Sequence, residues 1–253
     1  MVAGKRRRRG LGLGWGFGLA VLAIAAVAAV LLWQQRGASD RASGPSPTWR
    51  AAEPAPTGAP ASRTPTFDAA RQQLTALPVR GWDRTSDFQR QQFGPAWSDD
   101  VNVEFGRNGC NTRDDILRRD LKSLVVRPFT CFAQSGALTD PYTGAAIDFV
   151  RGPQTSKSVE IDHVVALADA WYKGARAWDP QRRLDFANDP RNLLAVSPKA
   201  NFDKAFRDAA GWLPPNAGFR CDFVARQVEV KTAYGLWLSA KEKKAMSEVL
   251  SRC

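Results

Sequence analysis

The sequence predicts an α+β domain behind an apolar leader, from three observations. Short β-rich runs, "SLVVRP", "SVEIDHVV" and "NLLAVS", are mixed with segments that carry helix-start signals. Residues 34–66 have a composition that cannot build a core. Four cysteines, Cys110, Cys131, Cys221 and Cys253, lie beyond that leader, and an even count in an exported chain predicts two disulfides.

At the N-terminus, "KRRRRG" (Lys5–Gly10) precedes an apolar run of 23 residues, Leu11 to Trp33. A helix crosses a bilayer with ~20 residues, whereas the apolar core of a signal peptide has ~7–15. Residues 1–33 are therefore expected to be a basic cytoplasmic stub and a transmembrane signal anchor, with a cleaved signal peptide as the alternative. The arginines stay inside and the rest goes out, tethered to the cell membrane or secreted. Residues 34–66 are mainly Ala, Pro, Ser, Thr and Gly, which predicts a disordered linker.

The leader also accounts for much of the charge. The chain carries a net +11, but residues 1–66 hold nine basic and two acidic residues. The rest has 27 basic against 23 acidic residues, a net of +4. Total charge is thus weak evidence for nucleic-acid binding by the domain itself.

The domain, residues 67–253, opens with the helix "FDAARQQLTAL" (Phe67–Leu77). "TRDDILRRDL" is a second helix, with Thr112 as N-cap and Asp114 and Asp115 in its first turn. "SLVVRP" is a strand, and two strand-like runs flank the turn signal "TDPYTG", giving a small β-hairpin region. "SVEIDHVV" is a strand running into His163. "LADAWYKGA" and "DPQRRLDFAND" are short helices, the latter with Pro180 in its first turn. "NLLAVS" is a strand, and Ser197–Pro198 starts the helix "SPKANFDKAFRD". Phe202 and Phe206, four apart, are expected to anchor that helix on the core. "FVARQVEVKTAYGL" and "SAKEKKAMSEVLSRC" are helices, the latter opened by the capping box Ser239–Glu242. Trp171, Trp178, Trp212 and Trp237 are expected in the core, and "KEKK" (Lys241–Lys244) on a solvated face.

The polar residues with chemistry are Glu160, Asp162, His163, Asn192, Asn201 and Lys204. His163 is the single histidine of the chain, which rules out a multi-histidine zinc site. The cysteines lack any CxxC spacing, which argues against a thiolate zinc site. Adjacent strand residues point to opposite faces, so Asp162 and His163 meet one site only where the strand ends. Asn201 and Lys204 are three apart and share a helix face. Asp162 and Asn201 offer hard oxygen ligands, and Glu160 lies on the same strand face as Asp162. Neutral imidazole suits a general base, and Lys204 suits a phosphate as a point charge. Asn192 suits the loop between, where its side chain can tie the backbone to the site. The set fits metal-assisted cleavage of a phosphodiester. Of the three possible disulfide pairings, Cys110–Cys131 with Cys221–Cys253 is expected, each bridge tying one subregion to itself.

The order Asp162-His163, Asn192, Asn201, Lys204 resembles the HNH endonuclease motif of the ββα-metal fold. The flanking blocks "TRDDIL", "DPYTG", "AWYKGARAWDPQRRLDFANDPRNLLAV" and "GWLPPN" are similar to exported, actinobacterial-type HNH proteins. That likeness spans roughly residues 99 to 253. It implies a ββα-metal core with surrounding helices. His163 would be the base, aided by Asn192 and Lys204. Asp162, Asn201 and Glu160 would serve a divalent cation, Mg²⁺ or Mn²⁺. The implied substrate is nucleic acid, DNA or RNA, and the expected state is a monomer. Ala205 and Phe206 depart from the pattern, because relatives commonly carry Gly-Asp after the lysine. A scaffold that binds nucleic acid or the cell envelope without cleavage is the alternative.

Overall fold

The computed structural model describes residues 66–83 and 85–253. The predicted anchor, and all of the predicted linker except Thr66, lie outside them. Among the described residues no helix is long and apolar enough to cross a membrane.

Thr66 caps the first helix, α1 (Phe67–Ala76). Helix α2 (Thr112–Asp120) is capped by Asn111, whose side chain accepts from Asp114 N at 3.0 Å. The cap is thus one residue before the expected Thr112, whose hydroxyl bonds instead to the Ser98 carbonyl. Strands β1 (Lys122–Val126), β2 (Ala133–Thr139) and β3 (Ala146–Val150) form an antiparallel sheet in that order. The predicted hairpin is its β2–β3 half. At that turn the Asp140 carboxylate accepts from Tyr142 N at 3.1 Å and from the Thr143 hydroxyl at 2.5 Å.

Strand β4 (Glu160–His163) pairs antiparallel with β5 (Leu193–Val196), Glu160 opposite Val196 and His163 opposite Leu193. Between them run α3 (Leu167–Tyr172) and α4 (Pro180–Asn188). Asp179 caps α4, with Pro180 in the first turn, where a missing N–H leaves no bond unmade. Helix α5 (Pro198–Lys204) follows β5 directly, capped by Ser197. Helices α6 (Arg220–Tyr234) and α7 (Ala240–Leu250) close the chain, α7 opening with the expected capping box.

The β4–β5 sheet lies between apolar layers, which is why "LLAV" reads as an unbroken apolar run. Leu194 and Val196 pack with Leu74 of α1, Phe223 and Val228 of α6, and Met246 of α7. Leu193, Ala195 and Ile161 pack with Ile116 and Leu117 of α2 and Phe149 of β3. Burying each large aliphatic side chain contributes roughly 1.5–3 kcal/mol. A two-stranded sheet also leaves edges to satisfy. Helix α2 supplies the groups for β5: Arg119 donates to the Leu193 carbonyl at 2.6 Å, and Ala195 N donates to Asp120 at 2.8 Å.

Three expectations are corrected. Phe202 and Phe206 do not anchor α5; they are 84% and 54% exposed, and the helix ends at Lys204. Its inward face is Ala200 and Lys204, because a buried ion pair takes the place expected for the aromatics. Of the four tryptophans only Trp171 is fully buried. Trp178 and Trp212 are half-buried and pack against the core, whereas Trp237 is half-buried with its N–H donating to the Gly81 carbonyl at 3.0 Å. Finally, "KEKK" is not wholly solvated. Glu242 is completely buried, 2.7 Å from Lys173 and 2.8 Å from Lys231. Asp169 lies 2.5 Å from Lys173 and 2.9 Å from Lys231, and Asp208 reaches Lys173 at 2.8 Å.

Candidate functional site

The site forms where β4 ends and α5 crosses it. Glu160 and Asp162 point from one face of β4 toward α5, as the two-residue period requires. Asn201 and Lys204 are presented from α5 by the Ser197–Pro198 start, which fixes the helix against β5.

Lys204 is completely buried. Its Nζ stands 3.1 Å from Asp162 Oδ1 and 3.0 Å from Oδ2, and donates to the His163 carbonyl at 2.8 Å. The Tyr142 hydroxyl donates to Asp162 Oδ2 at 2.5 Å. Burial pushes the Asp162 carboxyl up, while Lys204 and Tyr142 oppose that rise. Burial and the neighbouring carboxylate push the Tyr142 phenol well above its ordinary value, so it remains a donor. Asn201 Nδ2 donates to Glu160 Oε2 at 2.7 Å. That bond leaves Glu160 Oε1 and Asn201 Oδ1 without a hydrogen-bond donor among the described residues.

His163 turns the other way, as the last residue of β4. Its Nε2 lies 2.9 Å from the Ala187 carbonyl. A carbonyl only accepts, so Nε2 carries the hydrogen and Nδ1 is left as the basic nitrogen. The Trp97 ring runs nearly parallel to the imidazole, at 11° with centroids 6.2 Å apart. Burial, with added repulsion from Arg90 and Lys204, holds the imidazole down to about 3, so it is neutral at physiological pH.

Asn192 clamps the loop after His163. Its Oδ1 accepts from Val165 N at 2.8 Å, and its Nδ2 donates to the Val165 carbonyl at 3.2 Å. Its own carbonyl accepts from Val164 N at 2.8 Å.

Two cavities meet at His163. One of about 450 Å³ lies between β4 and α5, reached by Glu160, Asp162, Asn201, Phe202 and Phe206. The other, about 280 Å³, lies behind the ring and includes Phe93, Trp97 and Asn188. Arg90 lines both.

The structure therefore gathers Glu160, Asp162, Asn201 and Lys204 on one side of β4, with His163 at the junction and Asn192 behind the loop. Among the described residues no three His, Cys, Asp or Glu side chains converge as a metal cluster. The chemistry of the donors still fits a hard cation: the Glu160 oxygen and Asn201 amide oxygen without donors, beside the Asp162 carboxylate shared with Lys204. Sequence reasoning missed Tyr142, Trp97 and Arg90. Tyr142 was visible only as part of a turn, and nothing local marks a phenol that reaches a strand twenty residues on.

The four cysteines form Cys110–Cys131 and Cys221–Cys253. Residues 111–249 match the family described as GmrSD restriction endonucleases, C-terminal domain. An uncharacterized secreted protein of Arthroderma benhamiae is 33% identical over 191 residues, covering 75% of this chain and 87% of that protein. No solved structure matches the chain.

Proposed function

The chain belongs to the family of the GmrSD restriction endonuclease C-terminal domain, and from that premise we propose that it is an exported, metal-dependent endonuclease of the HNH type that hydrolyses phosphodiester bonds of DNA. The observation that carries this reading is His163. The ring is neutral, its tautomer is set by the Ala187 carbonyl, and it stands one residue from an ion-paired carboxylate at the end of a strand. Nδ1 takes the proton from a water molecule as its oxygen attacks phosphorus. The bond from phosphorus to the departing strand end then breaks, and the leaving oxygen takes a proton from solvent.

Glu160, Asn201 and Asp162 would hold Mg²⁺ or Mn²⁺, which when bound neutralises charge on the phosphodiester. Lys204 acts as a positioning residue, since its ammonium already serves Asp162 and the His163 carbonyl rather than a phosphate. Asn192 also positions, by holding the loop that follows the base. Two disulfides and a relative described as secreted support an exported protein, on the outer side of a membrane or released from it.

The test is cleavage of supercoiled plasmid by the purified full-length chain in Mg²⁺, Mn²⁺ or EDTA. Cleavage is expected with metal and not with EDTA, and His163→Ala should lose roughly 10²–10⁴-fold in rate. No cleavage of plasmid or of single-stranded DNA in any metal, or equal cutting by His163→Ala, ends this reading. A second reading has its own support in Ala205 and Phe206 and in the commitment of Asp162 to Lys204. The domain would then bind without cleaving, and calorimetric titration with Mg²⁺ and Mn²⁺ would give no heat.

A further inference from the structure

The larger cavity is lined by two exposed rings that the core does not use, Phe202 and Phe206, and Trp82 stands beside Phe206. Phe202 is 84% exposed, Phe206 54% and Trp82 38%. Trp82 stacks on Tyr172, with centroids 5.3 Å apart and planes at 18°, and meets Phe206 at 6.3 Å. Trp82 is thus held by Tyr172 and by the Lys173 ammonium 5.6 Å from its ring centroid, Phe206 leans on it at 54°, and Phe202 and Phe206 are the rings left open beside the candidate catalytic groups. The chain places Phe206 there through Ala205, at φ +51° and ψ −127°, in a turn closed by Arg207 N donating to the Lys204 carbonyl at 3.1 Å.

Positive charge at this mouth is sparse. Lys204 is buried against Asp162, and Lys199 pairs with Asp203 at 2.6 Å. Arg90, which lines both cavities, is exposed and makes no ion pair with an acidic side chain among the described residues. Duplex binding draws on many phosphate contacts, and the bases of a duplex keep their faces hidden in the stack. An unpaired strand offers its base faces to aromatic rings and needs few cations.

We propose that this cleft takes an unpaired nucleic-acid strand, with bases stacked on Phe202 and Phe206 and a phosphate held by Arg90. This names the substrate class of the site assigned above and rests on that reading. Because stacking carries the affinity, salt dependence is shallow, about 0.7 in log–log slope for one phosphate contact on a single strand.

The test measures fluorescence anisotropy of labelled dT12, rU12 and a dT12–dA12 duplex with the full-length chain in EDTA, where cleavage is silent. The single strands are expected to bind at least roughly tenfold tighter than the duplex. Phe202→Ala with Phe206→Ala should lose roughly tenfold per ring on the single strands and little on the duplex. Both rings are exposed, so an unchanged melting temperature shows that the fold is intact. Arg90→Gln should flatten the salt slope. The dT12 and rU12 arms separate DNA from RNA.

Equal affinity for strand and duplex, or strand binding indifferent to both phenylalanines, overturns the proposal. Cleavage of dT12 and rU12 with metal, run in parallel with plasmid, keeps the two readings apart. A nuclease without strand preference sinks only this inference. Phenylalanine-dependent strand binding without cleavage in any metal sinks only the enzymatic one.

Discussion

Ala205 shows how one residue links sequence to conformation. The resemblance to HNH proteins predicts a glycine after the lysine, and the structure gives this position a positive φ of 51°. A side chain in that region is strained by ~1–3 kcal/mol, which glycine escapes at a smaller cost in unfolded-chain entropy. Ala205→Gly is therefore expected to stabilise the protein by about 1 kcal/mol and raise Tm by about 2–4 °C. A melting temperature at or below that of the wild type contradicts the strain. His163 gives a second prediction at this scale. Its folded value of about 3 lies below the 6.5 of a free imidazole, so the unfolded chain binds the proton more tightly. Stability is then full above about 6.5 and falls as pH drops toward 3, by up to ~1.4 kcal/mol per pH unit. Because this is the only histidine, chemical denaturation of wild type and His163→Gln between pH 7 and 5 isolates the effect. Parallel pH profiles for the two proteins would contradict the buried neutral ring.

Among the elements, the short helix α5 decides the site. Its start was legible, because serine followed by proline is a local signal that depends on no distant partner. Its inward face was not, because Lys204 is buried only by virtue of Asp162 on another strand. The same holds for α7, whose capping box could be read directly while the burial of Glu242 could not. Glu242 meets Lys173, which follows α3, and Lys231 of α6. Removing its charge leaves two buried ammonium groups with Asp169 and Asp208 alone. Glu242→Gln is expected to destabilise by about 3–5 kcal/mol, read by urea denaturation. A loss below about 1 kcal/mol would mean that the cluster is rearranged or hydrated rather than buried as a unit.

Across the whole molecule, the bridges matter most at the C-terminal end. Cys221 stands near the start of α6 and Cys253 just past α7, so this disulfide closes the loop that holds both helices against α1. For a separation of 32 residues, loop entropy assigns it about 4 kcal/mol. Cys221→Ser with Cys253→Ser should lower the denaturation midpoint accordingly, and a midpoint within error of the wild type would show that helix packing alone suffices. The mixed α+β class, the Ser197–Pro198 helix start and the capping box of α7 could be read along the chain. Composition, periodicity and spacing are local quantities, and they report what each segment favours by itself. The tertiary structure alone decided that Tyr142 reaches Asp162, that Glu242 leaves solvent and that Phe202 and Phe206 face it. Those outcomes depend on which distant groups become neighbours, since a buried charge or phenol is tolerated only where a partner from another element meets it.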